Sequence, residues 1–122
     1  MVRDDVFVQD AVGRAETMLT SARAYQFEVM GDLWAALVND REPTPAQVAR
    51  FTTTHTYIMG VCADVVQLAC KAAGGTAVYQ KGPFDRCLRD ILTMNQHLVG
   101  TLRTYEMAGR LLLGLEPLSW LF

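Results

Sequence analysis

Apolar positions recur with a helical period along most of this chain. From Val8 they run Val8, Ala11/Val12, Ala15, Met18/Leu19, Ala22, Tyr25/Gln26, Val29, Leu33, Leu37, a step of about 3.6 residues with no internal proline. The opposite face carries Asp10, Arg14, Thr17, Ser21, Glu28 and Asp32. Asp4 or Asp5 is placed to cap the start and to complement the helix dipole. The spacing therefore predicts a first helix roughly 45 Å long, longer than a compact ball of this size allows, so the domain is expected to be elongated. Asn39-Asp40-Arg41-Glu42-Pro43 breaks the pattern, and Thr44-Pro45-Ala46-Gln47 restarts it. Thr44 suits an N-cap, Pro45 the first helical position, and Gln47 the far side of a capping box.

The second stripe is Val48, Phe51, His55, Ile58, Cys62, Val65, Leu68/Ala69, Ala72, and Gly74-Gly75 ends it as a left-handed C-cap would. Gly82-Pro83 closes the short connection that follows. A third stripe runs Phe84, Cys87/Leu88, Ile91, Met94/Asn95, Leu98, Leu102, Tyr105, Ala108/Gly109, Leu112, weakest from Asn95 to Gly100, where a break is expected. The tail, Leu113 to Phe122, is apolar enough to dock on a surface. No segment alternates strongly as a strand would. The fold class is thus all-α, an antiparallel up-down bundle of three to four long helices in a single domain over residues 1–122.

Composition sharpens this picture. Hydrophobic residues make up 51% of the 122 residues and charged residues 20%, an apolar excess for a small domain unless some surface meets a partner. Eleven basic against thirteen acidic residues leave a net charge of −2, so a nucleic-acid partner is not expected. No run reaches the roughly 18 unbroken apolar residues of a membrane span, and the acidic start is unlike a secretory signal. A cytoplasmic setting with no membrane partner is the expectation. The three cysteines, Cys62, Cys70 and Cys87, are read as reduced, buried and apolar in character.

Chemistry-bearing motifs are few. Phosphate-binding glycine loops, paired CxxC, HExxH and serine-elbow signatures are all absent. Neither His55 nor His97 follows a glutamate by three residues, so no di-iron pattern forms and no metal site is expected. His55 reads as a core or interface imidazole. His97 lies beside the apolar stripe with Asp90, Thr93 and Thr101, open both to a structural role and to one as proton donor or ligand contact. Arg86, Arg89 and Asp90 form a charged cluster that reads as a solvated face, an inter-helix ion pair or an anion site.

Taken together, Ala72-Ala73-Gly74-Gly75-Thr76-Ala77-Val78-Tyr79, then Arg86-Cys87-Leu88-Arg89-Asp90-Ile91, His97, Tyr105 and Gly109 to Gly114 resemble the C-terminal helical domain of the acyl-CoA dehydrogenase superfamily. Val8-Gln9, Ala22-Arg23-Ala24 and Leu33-Trp34 fit as well, so the resemblance covers essentially the whole chain. It is nearest the reduced-flavin-dependent monooxygenases of the p-hydroxyphenylacetate hydroxylase and dibenzothiophene monooxygenase type. The resemblance implies FMN or FAD as cofactor and a homo-oligomer, dimer or tetramer. Its bundle would form the subunit interface and one side of the flavin and substrate cavity. It also implies that Gly74, Gly75 and Thr76 lie near the flavin phosphate end, that Arg89 and Asp90 are a structural ion pair, and that His97 is the catalytic histidine against the flavin ring. Val99 stands before Gly100-Thr101 where dehydrogenases place a catalytic glutamate, which directs the implied activity to monooxygenation. The family's N-terminal helical and middle β-domains have no counterpart in the chain, so the domain is expected to be inactive alone, completed by those domains or by separately encoded subunits. The alternative is a free-standing helical oligomerisation or interaction module without catalysis.

Overall fold

The computed structural model describes residues 2–78, 82–96 and 103–117. Four α-helices stand among the described residues: α1 (Val6–Leu37), α2 (Pro45–Ala73), α3 (Pro83–Met94) and α4 (Arg103–Leu112). They contain no strand, as the periodicity predicts. Short 3-10 turns precede α1 at Val2–Asp4 and follow α2 at Gly74–Val78.

The helix starts form as the sequence signals indicate. Asp5 is the N-cap of α1, its carboxylate accepting from the Phe7 amide at 2.8 Å. Thr44 caps α2 with both halves of the capping box present and Pro45 at the first turn. Between them α1 ends in a tight turn: the Arg41 amide donates to the Ala36 carbonyl at 3.0 Å, and the Asn39 side chain donates to Ala35 at 2.7 Å. Asp40 takes the left-handed conformation (φ 50°) that this reversal requires and that a short polar side chain tolerates.

α2 is the central helix, with α1 against one side and α3 and α4 against another. The α1–α2 pair is antiparallel. Gln47 reaches the Asp32 carbonyl, Arg50 pairs with Glu28, and Tyr57 meets Tyr25 as the two chains pass. At the far end Ala69, Ala72 and Ala73 adjoin Val8, Ala11 and Ala15. Small side chains along α1 (Ala11, Ala22 and Ala36) are buried and let the backbones approach closely. Of the expected stripe of α1, Ala11, Ala22 and Val29 are buried, whereas Val12, Leu19 and Leu37 are exposed, and the last core position is Ala36.

α3 and α4 run back along α2 as one helix broken after Met94, where the sequence pattern weakens. Cys70 lies against the Phe84 carbonyl at one end, and Thr56 against Thr104 farther along. The break resets the helical phase. The continuous third stripe predicted Tyr105, Ala108 and Leu112 inward; the structure buries Ala108 as expected but adds Thr104 and Met107, and Tyr105 and Leu112 are exposed. Of the tail, Leu113 and Leu115 are exposed, and residues 118–122 lie outside the described residues.

Two expectations about buried groups change. The cysteines are free thiols as expected, but Cys62 and Cys70 are half-buried and Cys87 is exposed. His55 is exposed, on an edge of α2 between its packed faces, and its ring meets Phe51 edge-on at 5.7 Å. α2 is itself long and apolar enough to cross a membrane by length and composition, while here two of its faces are covered by the neighbouring helices.

Candidate functional site

α2 presents one polar row to a cleft: Thr53, Tyr57, Gly60 and Asp64, spaced three and four residues apart on one helix face. α1 supplies Tyr25 to one wall. α4 supplies Tyr105 to the other, and the end of α3 supplies Asn95. Two hollows of about 390 and 350 Å³ meet at Tyr57 and Tyr105. Gly60 leaves the floor open: a Cβ built there meets nothing within 4 Å.

Aromatic groups hold this cleft in shape. Tyr25 and Tyr57 stack edge to face, centroids 5.8 Å apart and planes at 88°, the favoured geometry for ring quadrupoles. The Arg50 guanidinium lies 5.9 Å over the Tyr25 ring while it pairs with Glu28, whose carboxylate holds the guanidinium protonated still more firmly. Burial pushes the Tyr105 phenol above its ordinary range, and the neighbouring Tyr57 and Tyr25 add to the shift. Behind the cleft the Thr56 and Thr104 hydroxyls meet at 2.5 Å. Asn95 Oδ1 is buried without a hydrogen-bond partner, alone in this among the described residues. An unsatisfied buried acceptor costs about 1–3 kcal/mol, and this one borders the cleft.

The glycine turn expected near a flavin phosphate lies elsewhere. Gly74 has φ 59° and ψ −137°, a conformation open essentially to glycine alone, and it ends α2 with its amide donating to the Lys71 carbonyl. That amide is spent on the cap. Gly74 and Gly75 are exposed, with nothing within 4 Å of a Cβ at either, and Lys71 sits in the last turn of α2. The turn is thus open to solvent, with one basic residue in the helix turn before it. Thr76 belongs to the same 3-10 turn, its side chain outside the described ones. Fourteen residues of helix separate Gly60 from Gly74, about 21 Å, so the cleft and the turn cannot surround the same small group.

Arg89 and Asp90 do not pair with each other. Arg89 pairs with Asp85 at 3.1 Å and Asp90 with Arg86 at 3.6 Å, each across one turn of α3. Adjacent helical residues point about 100° apart, so the partners lie one turn away. Both Arg89 and Asp90 are exposed. His97 lies outside the described residues, two positions after the cleft residue Asn95. No group of three or more potential metal ligands forms among the described residues.

Residues 1–101 match the family of the acyl-CoA dehydrogenase C-terminal domain, and the chain belongs to that family. Its relatives include the indole-3-acetate monooxygenase of Pseudomonas putida, 32% identical over 118 residues, which cover 94% of this chain and 30% of that protein. The indole-3-acetate monooxygenase of Acinetobacter baumannii is 29% identical over 104 residues, 85% of this chain and 27% of that protein. The chain therefore spans less than a third of the length of these relatives. The resemblance carried by the glycine turn, the Arg-Asp pair and His97 is borne out, including its direction toward oxidoreductases of the monooxygenase branch.

Proposed function

We propose that this chain is the C-terminal helical part of a flavin-dependent monooxygenase, working in the cytoplasm on an aromatic substrate and inactive alone. In this reading the cleft bounded by Tyr57, Gly60, Asp64, Asn95 and Tyr105 forms one side of the flavin and substrate cavity. The cleft itself, ending at Asn95 two residues before His97, is the observation that carries it. Reduced flavin, as FMN or FAD, supplies the activation of oxygen when bound. The chain's own residues would do the rest. Tyr57 and Tyr105 offer flat apolar walls to an aromatic ring, and Asn95 offers an acceptor to a ligand N–H. His97 would hold or deliver a proton beside the flavin ring. Gly75 and Lys71 would receive the phosphate end of a flavin bound by another subunit, since the turn lies about 21 Å along α2 from the cleft. Contacts between subunits use apolar surface that the bundle leaves uncovered.

A chimera tests this. The C-terminal third of the Pseudomonas putida relative is replaced by this chain, and oxygen-dependent oxidation of indole-3-acetate is followed with reduced flavin. The chimera is expected to turn over and the 122-residue chain alone is not. His97→Ala in the chimera should abolish oxidation at unchanged thermal stability. Turnover by the isolated chain would overturn the claim that it is incomplete. A folded, flavin-binding chimera without turnover would overturn the assignment of the cleft and favour a non-catalytic interaction module.

A further inference from the structure

Among the described residues that line the cleft, Asp64 alone carries a charge at neutral pH. It stands one turn beyond Gly60 on α2, exposed, and its carboxylate takes no ion-pair or hydrogen-bond partner among the described residues. Arg50, on the Tyr25 ring, is paired with Glu28, so these two leave no net charge there. Asn95 borders the same hollow as Asp64, and its buried Oδ1 adds the uncompensated negative end of an amide dipole. The hollow thus holds a carboxylate and an unpaired acceptor, with no cation among its described residues.

The adjoining hollow favours the same sign. Tyr25, Tyr57 and Tyr105 line it, and an aromatic face is the negative part of the ring's quadrupole, so it attracts cations. The guanidinium already seated on Tyr25 is one instance. Gly60 leaves room for a flat ring beside Tyr57 and Tyr105. Four residues of helix, about 6 Å, lead from Gly60 to Asp64, the reach of a two-carbon tether from a ring to its amine. Water screens an exposed carboxylate, but a ring seated in the hollow displaces that water and strengthens the attraction.

We propose that this cleft selects an aromatic compound carrying a protonated amine on a short tether. The ring lies over Gly60 against Tyr57 and Tyr105, and the ammonium donates to the Asp64 carboxylate. The proposal rests on the reading that the cleft is part of the substrate cavity, and it names the substrate class. Arylalkylamines come ahead of the matching arylalkanoates, a class distinct from the acid for which the relatives are named. An aromatic acid enters with its carboxylate turned away from this wall. Asp64 is then the residue that sets specificity by charge.

NMR titration of the isotope-labelled 122-residue chain tests it. The probes are tryptamine and indole-3-acetate, which share a ring and a tether length, and butylamine, which has the charge without the ring. Tryptamine should shift the amides around Gly60, Asp64 and Tyr105 and bind at least about tenfold more tightly than indole-3-acetate. Asp64→Asn, at an exposed position, should bring the two within about twofold of each other while circular dichroism stays helical. Indole-3-acetate binding as tightly as tryptamine, or a preference that survives Asp64→Asn, overturns the charge selection and leaves the cavity reading standing. Butylamine binding as tightly as tryptamine overturns the aromatic half of the proposal. No shift at the cleft with either indole up to about 20 mM, a range that covers weak binding, overturns both the proposal and the cavity reading.

Discussion

The hydroxyls of Thr56 and Thr104 meet at 2.5 Å between α2 and α4, both side chains buried. This contact lies directly behind the cleft and ties the broken end of the α3–α4 arm to the central helix. Thr104→Val should cost about 1–2 kcal/mol, because it takes one partner from a buried hydroxyl. Thr56→Val should cost a similar amount. The double variant should cost less than the two single costs added, since no hydroxyl is then left facing a methyl group. Urea unfolding of the four proteins measures this; strictly additive costs would contradict a direct bond.

Met107 is the largest fully buried side chain among the described residues, at 0% exposure. It anchors a helix of only ten residues, too short to persist without packing. Met107→Ala should cost about 2–5 kcal/mol through lost contacts and a residual cavity. Hydrogen exchange should show α4 opening first, with α1 protected as before.

The two glycines of the turn separate conformational need from ligand access. Gly74→Ala forces a Cβ into a positive-φ conformation and should destabilise by about 1–3 kcal/mol. Gly75→Ala has open space and no positive φ, so its stability should stay within about 0.5 kcal/mol. If the turn receives a phosphate, Gly75→Ala in the chimera should nevertheless weaken flavin binding, which a fluorescence titration reads directly.

Tyr105 gives a pH signature. Burial chiefly, then Tyr57 and Tyr25, raises its pKa in the folded state above the ordinary value near 10. The folded chain thus keeps this proton longer than the unfolded chain does. The resulting stability is complete below about pH 10 and is lost as pH climbs through the folded value. Thermal unfolding followed from pH 8 upward should show a decline above about pH 10 that is shallower in Tyr105→Phe.

The helices were legible in the sequence because their signals are local. Asp5 and the Thr44–Gln47 box act within one turn, and the stripe from Val8 to Leu33 marks a helix whose buried line runs through Ala11, Ala22 and Val29. What depends on contacts between distant segments was not legible. The break after Met94 resets the phase of α4, so a stripe extended through it picks Leu112 where Thr104 and Met107 are buried. His55 follows the period of α2, but that helix is packed on two sides, and the period alone does not say which edges stay open. The cleft went unread because Tyr25, Tyr57, Asn95 and Tyr105 come from four helices with no common motif. Tyr25 and Tyr105 lie on predicted stripes, but Tyr57 lies off the stripe of α2. The motif residues found the family, whereas Arg89 and Asp90, an ion pair only as the resemblance implies, take partners one turn away.

The central claim is that the cleft over Gly60 forms part of a substrate cavity, and Gly60→Leu in the chimera tests it most directly. The new side chain points into open space from a helix interior, so stability should hold or rise by up to about 1 kcal/mol. Filling the cleft should at the same time raise KM for indole-3-acetate or lower kcat, by at least about tenfold in kcat/KM, equal to about 1.4 kcal/mol. Unchanged kinetics in a stable Gly60→Leu chimera would contradict the account.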